Sequence, residues 1–588
     1  MTFGRMGVSD TVDRRAYFRV TPVRPVAPSH MADLPMHRRF HLLALALFCA
    51  APVTTPLAAQ KKPPAPAPAR PIVASEIDAH LRFLSSDLLE GRAPGTRGGR
   101  LAAEYIAAQL QLFGLEPAGE NGSWFQQVPI DIVGAKKETI HATAGGKATA
   151  TLRYPEDLVV WAGSASPQSR ASAELVFAGY GATAPEYKWN DFKTDVKGKI
   201  LLVLVNDPPA PASEPKMFGG RAMTYYGRWP YKFEEAERHG AIGALIVHTQ
   251  ERAGYPWHTV VGSWAKEQRM LPRDPKLPPP LGVRGWITDS VATALLAQAG
   301  LNLAALRTQA ESREFRPVAT GINVDINFSN TVEHLTSANV LAQVRGHDAK
   351  ARDDFVILSA HWDHLGIGPI VDGDSIYNGA ADNASGVADL LAVARLAAQG
   401  PAPRRSMLFA FVTAEESGLL GSQYLAEHPV VPLTATVANL NIDGGNLLGR
   451  VKDLNVLGDT KSTLGPHLST FVKPRGVRLT PEEFPERGSF YRSDHFMFAK
   501  AGVPSISIGN GNDFEGKPAG WGTQQAEDYN AHRYHQPDDA YSPHFDLSGA
   551  VQLSNIVMDF ARALANSAAW PAWNADAEFK RPVRKPAM

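Results

Sequence analysis

From about Glu333 to Ala565 short apolar runs alternate with runs at helical spacing, and this alternation constrains the fold more than any other feature of the chain. Phe355–Leu358, Met407–Val412, Val437–Ile442 and Pro504–Ile508 have strand length and strand character. Between and after them, 384–398, 418–427 and 547–565 carry apolar residues at helical periodicity. Strands linked in this way form a mostly parallel or mixed central sheet with helices on both faces, an α/β architecture. Ligands of such sheets bind beyond the carboxyl ends of the strands. The polar clusters of this chain lie there.

His361-Trp362-Asp363 follows the first run, and Asp382-Asn383 opens the first helix. Thr413-Ala414-Glu415-Glu416 follows the second run and Asn441-Ile442-Asp443 the third. Tyr534-His535-Gln536-Pro537-Asp538-Asp539 occupies the loop before the last helix. Alone, each cluster is ordinary: adjacent glutamates are usually a solvated pair, and a single His-x-Asp is common. Together they bring two histidines and three carboxylates to one sheet edge. Such nitrogen and oxygen donors without sulfur suit zinc, and paired ions suit hydrolysis. Cys49 is the only cysteine, so no thiolate pair is available as an alternative ligand set.

In order, these motifs resemble the co-catalytic two-zinc aminopeptidases and their relatives, the glutamate carboxypeptidases. The pattern reads His361-x-Asp363, Gly379-Ala380-x-Asp382-Asn383-x-Ser385-Gly386, Glu415-Glu416-x-Gly418-x-x-Gly421-Ser422, Asn441-x-Asp443, Ser493-Asp494-His495 and Tyr534-His535. Phe83-Leu84-Ser85-Ser86-Asp87 through Gly91-Arg92 is similar to the start of that family's catalytic domain. The resemblance implies two zinc ions per chain, with Asp382 bridging, His361 and Asp443 on one ion, and Glu416 and His535 on the other. It implies Glu415 as general base, Asp363 as the support of His361, and a cis peptide bond after Asp382. His495 competes with His535 for the ligand role, and His535 is favoured because Pro-x-Asp follows it. Arg492, Ser493, Asp494, His495 and Tyr534 are the candidates for the substrate pocket.

The implied activity is exopeptidic hydrolysis of peptides, with the free α-amino group of the substrate held at one ion. A carboxypeptidase on the same site would need a cation for the terminal carboxylate, for which Arg492 is the candidate. A single-zinc aminoacyl-cyclising enzyme and a non-catalytic receptor on the same fold are the other readings. Lys plus Arg equals Asp plus Glu at 59 each, and mean hydropathy is −0.19, so neither a nucleic-acid footprint nor a membrane-surface patch is expected.

The remaining chain divides by texture. Met36-His37-Arg38-Arg39, the apolar run Leu42–Val53 and the small residues Leu57-Ala58-Ala59 read as a secretory signal, so residues 1–59 are expected to be an extension and signal peptide, with export to the periplasm or beyond. Residues 60–71 form a Pro/Ala linker, and 72–139 begin the catalytic domain. Residues 140–325 are expected to be an inserted β-rich module, and 326–570 complete the catalytic domain before a tail at 571–588. In the insert, Gly179–Tyr187 and Val196–Ile200 resemble a protease-associated domain. Its segment Tyr225–Tyr231 reads either as an apolar lid or as the insert's own core.

Overall fold

A computed structural model describes residues 70–145 and 149–583, which lie in the unit Ala67–Met588. The expected signal segment, Cys49 and nearly all of the linker lie outside the described residues. Helices α1 (Ala74–Leu84) and α2 (Arg97–Phe113) come first, followed by strand β1 (Phe125–Ala135). After the intervening segment come β2 (Val318–Val344), β3 (Phe355–His361), α3 (Ser385–Gln399), β4 (Ser406–Val412) and α4 (Leu420–Glu427). β5 (Thr436–Asn441), β6 (Asp453–Leu457), β7 (Ser505–Asn510) and α5 (Ser548–Asn566) complete this part.

The sheet order is β1-β2-β4-β3-β5-β7-β6. Its centre, β4-β3-β5-β7, is parallel, and both flanks are antiparallel, so the sheet is mixed. Every residue of β3, β4 and β5 is buried, as two-sided coverage requires. Ala and Leu dominate α3, which is buried almost all round and packs against α1, α2 and α5. Register places His361 beside Val412 and Ser359 beside Asn441, so the loops after β3, β4 and β5 open at one edge.

The segment expected as an insert builds a second sheet. Strands Gln168–Phe177, Ile200–Leu204, Gly243–His248 and Val283–Thr288 run parallel, and Leu158–Ala162 pairs antiparallel with the last of them. Alternate side chains feed two cores, Leu158 and Val160 on one face and Val159 and Trp161 on the other. The two sheets share β2: its first half pairs with Gln168–Phe177, its second with β1 and β4. The expected boundary at 325–326 therefore falls inside a continuous strand. Tyr225, Tyr226 and Tyr231 serve neither of those two cores; they pack with Phe490, Tyr491 and Phe496 of the other part in a separate cluster. Among the described residues no single helix is long and apolar enough to cross a membrane.

Candidate metal centre

Three strand ends and two loops deliver the polar groups. His361 is the last residue of β3, Asp443 follows β5, and Glu415 and Glu416 follow β4. Asp382 sits in the turn leading into α3, joined to Asn383 by a cis peptide bond. Asn383 ties this turn to the β5 loop, donating to Ile442 O (3.1 Å) and accepting from Gly444 N (2.8 Å) and Gly386 N (3.0 Å).

The donor atoms form two groups sharing Asp382. His361 Nε2 lies 3.3 Å from Asp382 Oδ1 and 3.2 Å from Asp443 Oδ1. His535 Nε2 lies 3.3 Å from Asp382 Oδ2 and 3.0 Å from Glu416 Oε2, yet it is buried and makes no hydrogen bond with either. Four donors at about 2.0 Å from zinc form a tetrahedron whose edge is about 3.3 Å. The histidine-to-carboxylate edges of both groups have that spacing, and the chemistry of the donors fits a metal ion in each. His361 Nδ1 donates to the Asp363 carbonyl at 3.2 Å, which leaves Nε2 as its metal-facing nitrogen. The Asp363 carboxylate, expected to support His361, lies 3.9 Å from Nδ1; its Oδ1 accepts instead from Glu415 N at 3.1 Å. Asp363 thus anchors the loop that carries Glu415.

Charge is concentrated here. Burial pushes the Glu415 carboxyl well above its ordinary range, with Asp443, Glu416 and Asp494 adding to the effect and His361 opposing it. Burial alone would lower His361, but Glu415, Asp443 and Asp382 outweigh it and hold its imidazole well above the usual value.

The remaining candidates are placed unequally. Arg492 is exposed and Tyr534 is 46% exposed, stacking on His535 with ring centroids 3.9 Å apart. Ser493, Asp494 and His495 are buried and present almost no surface to a substrate. Asp494 accepts from the Ser422 hydroxyl at 2.5 Å, and burial raises its carboxyl to about 7. His495 packs edge-on against Phe490, and neither of its ring nitrogens has a hydrogen-bond partner. It is His535, not His495, that faces Asp382 and Glu416.

Three residues here escaped the sequence reading. Arg92, 1% exposed, donates to the carbonyls of Trp362 (2.9 Å), Leu84 (2.5 Å), Asn378 (2.6 Å) and Gly379 (3.0 Å). Asp539 accepts from the amides of Ala381 (2.9 Å) and Asp382 (3.0 Å) and from the Tyr529 hydroxyl (3.1 Å). His364 Nδ1 lies 2.6 Å from Glu416 Oε1. The only sequence signal for His364 is its place in the same strand-end loop as His361; Arg92 and Asp539 stand in motifs whose other members drew attention.

Fold and donors together define a candidate metal centre at the carboxyl edge of a mixed α/β sheet. Residues 339–561 match the model of peptidase family M28, and the chain carries a peptidase family M28 domain over that span. It is 26% identical over 392 residues to a probable glutamate carboxypeptidase of Arabidopsis thaliana, covering 59% of this chain and 50% of that protein. It is 28% identical over 391 residues to the probable leucine aminopeptidase 2 of Trichophyton verrucosum, covering 64% and 63%. The chain thus spans half to just under two thirds of the length of these relatives. Among solved structures, it is similar to the aminopeptidase from Aneurinibacillus sp. strain AM-1, with 19% identity, coverage of 85% and 95%, and a TM-score of 0.45.

Proposed function

We propose that this protein is an exported zinc-dependent exopeptidase that removes N-terminal residues from peptides, with residues 140–325 acting as a protease-associated domain. The observation that carries the reading is Asp382, whose two carboxylate oxygens each face a different histidine–carboxylate pair at 3.0–3.3 Å spacing. His361, Asp382 and Asp443 would hold one zinc, and Asp382, Glu416 and His535 the other. Bound there, zinc supplies a water acidified toward neutrality and polarises the scissile carbonyl. Glu415 takes the proton of the attacking water and returns it to the leaving amine. Asp363 fixes the Glu415 backbone for this task. The relatives' names, aminopeptidase and glutamate carboxypeptidase, agree with a peptidase and differ on the end attacked.

Glu415→Gln tests the base. It should lower kcat by about 10²–10⁴-fold while zinc content stays that of the unaltered protein. Full activity in that variant would refute the role. Hydrolysis of aminoacyl-nitroanilides, set beside release of C-terminal glutamate from peptides, decides between the two ends. Activity confined to the second would move the assignment to a carboxypeptidase, with Arg492 as the exposed cation for the terminal carboxylate.

A further inference from the structure

We infer that His364 is a positioning residue that turns Glu416, so that one of its carboxylate oxygens is committed to a hydrogen bond and the other to the metal centre. The inference rests on reading the site as a metal centre and adds a residue to it.

Two imidazoles approach Glu416, and their distances differ in kind. His535 Nε2 stands 3.0 Å from Oε2 and 3.3 Å from Asp382 Oδ2, the spacing of two donors around a shared ion, and no hydrogen bond joins them. His364 Nδ1 stands 2.6 Å from Oε1, too close for two ligands of one zinc and the length of a charge-assisted hydrogen bond. An ionised carboxylate can only accept, so Nδ1–H donates. His364, Asp382 and Glu416 do form a compact trio whose donor atoms lie within 4.8 Å of one another, but the short contact makes His364 the partner of a ligand.

The ring is held where this bond needs it. His364 is 1% exposed, and its amide donates to the carbonyl of Arg92 at 3.4 Å. Gly379, at φ +55°, lies under the imidazole: a Cβ there would fall 2.5 Å from the ring carbons Cγ and Cδ2, so no larger residue fits without displacing the ring. His535 closes another side edge-to-face, with ring centroids 5.7 Å apart. His364 Nε2 is buried without a hydrogen-bond partner, so Glu416 is the single polar contact that orients the ring. A glutamate without this partner has three rotatable bonds and two equivalent oxygens. With it, Oε1 is occupied and Oε2 faces His535 and Asp382.

Zinc titration of the metal-stripped full chain by calorimetry tests this, using His364→Ala, His364→Asn and Glu416→Gln. Glu416→Gln identifies the zinc equivalent that depends on Glu416. His364→Ala should weaken that same equivalent by about 10- to 100-fold, the usual cost of losing a partner that orients a ligand, and leave any other unchanged. His364→Asn, whose Nδ2 occupies the place of the imidazole Nδ1, should recover most of the loss. An unaltered constant in His364→Ala would overturn the inference. So would a loss that Asn fails to rescue, which would make His364 a ligand in its own right. A single equivalent in the unaltered protein would overturn the two-ion reading instead, and the Glu416-dependent equivalent would still report on His364.

Discussion

Asp389, in the middle of α3, has a fully buried carboxyl group whose oxygens meet no cation. Burial pushes its affinity for protons well above the ordinary carboxylate range, with only the Ser554 hydroxyl opposing. A folded-state pKa above the unfolded one means that the neutral acid is the form the fold accepts. Its stability is fully present below about pH 4, the value of an unfolded aspartate, and is lost as pH rises toward the folded value. Asp389→Asn keeps the shape and removes the titration. The variant should match the parent in urea at pH 4 and be more stable by about 1–3 kcal/mol at pH 8, the cost of burying an uncompensated polar group. Equal denaturation midpoints at both pH values would show that the charge is compensated in the native protein.

Between elements, the ligand loops depend on Arg92, which joins the end of α1 to the loop after β3 and the turn before α3 through four carbonyls. A lysine keeps the charge but not the fork, so at least two buried carbonyls lose their donor at about 1–3 kcal/mol each. Arg92→Lys should therefore lower stability by about 2–6 kcal/mol in urea and release zinc to a chelator faster than the parent. A variant with the parent's midpoint and the parent's release rate would show that these loops hold themselves. The contrast with the five proposed ligands shows what the chain discloses. Strands such as β3 and β4 are continuous apolar runs with polar residues at their ends, so their positions and the groups they deliver are legible by eye. Asp382 and His535 belong to motifs of recognisable spacing. Arg92 meets Trp362 and Gly379 only because the segment between α1 and α2 packs beside loops 270 and 287 residues later, and nothing local encodes that. The aromatic run Tyr225–Tyr231 hid its partner for the same reason: composition says that it is buried, and topology alone says against what.

Across the whole molecule, the two parts are joined covalently by β2 and non-covalently by the aromatic cluster and by Gln268–Met270, which pairs with β1. Tyr225 is at the centre of the aromatic joint, with its ring 4.9 Å from that of Phe496 and its hydroxyl bonded to Glu234 (2.7 Å) and Lys500 (3.1 Å). Lys500 also pairs with Glu234 at 2.6 Å, so a partly exposed charge pair borders the ring contacts. A strand common to both sheets cannot lose one partner without exposing backbone groups that the other sheet's core also depends on, which favours melting in one cooperative step. Tyr225→Ala should then lower the single calorimetric transition as a whole, by about 3–5 kcal/mol for a buried aromatic truncated to alanine. Tyr225→Phe, which keeps the ring and loses the hydroxyl, should cost only about 0.5–1.5 kcal/mol, because water can reach Glu234 and Lys500 in its place. Because Phe490 and Tyr491 of the same cluster lead directly into Arg492, the alanine variant should also raise KM for peptides more than it lowers kcat. Two separate transitions in the unaltered protein would mean that the shared strand does not couple the sheets, and a Tyr225→Ala variant that moves no transition would mean that the aromatic joint is incidental to stability.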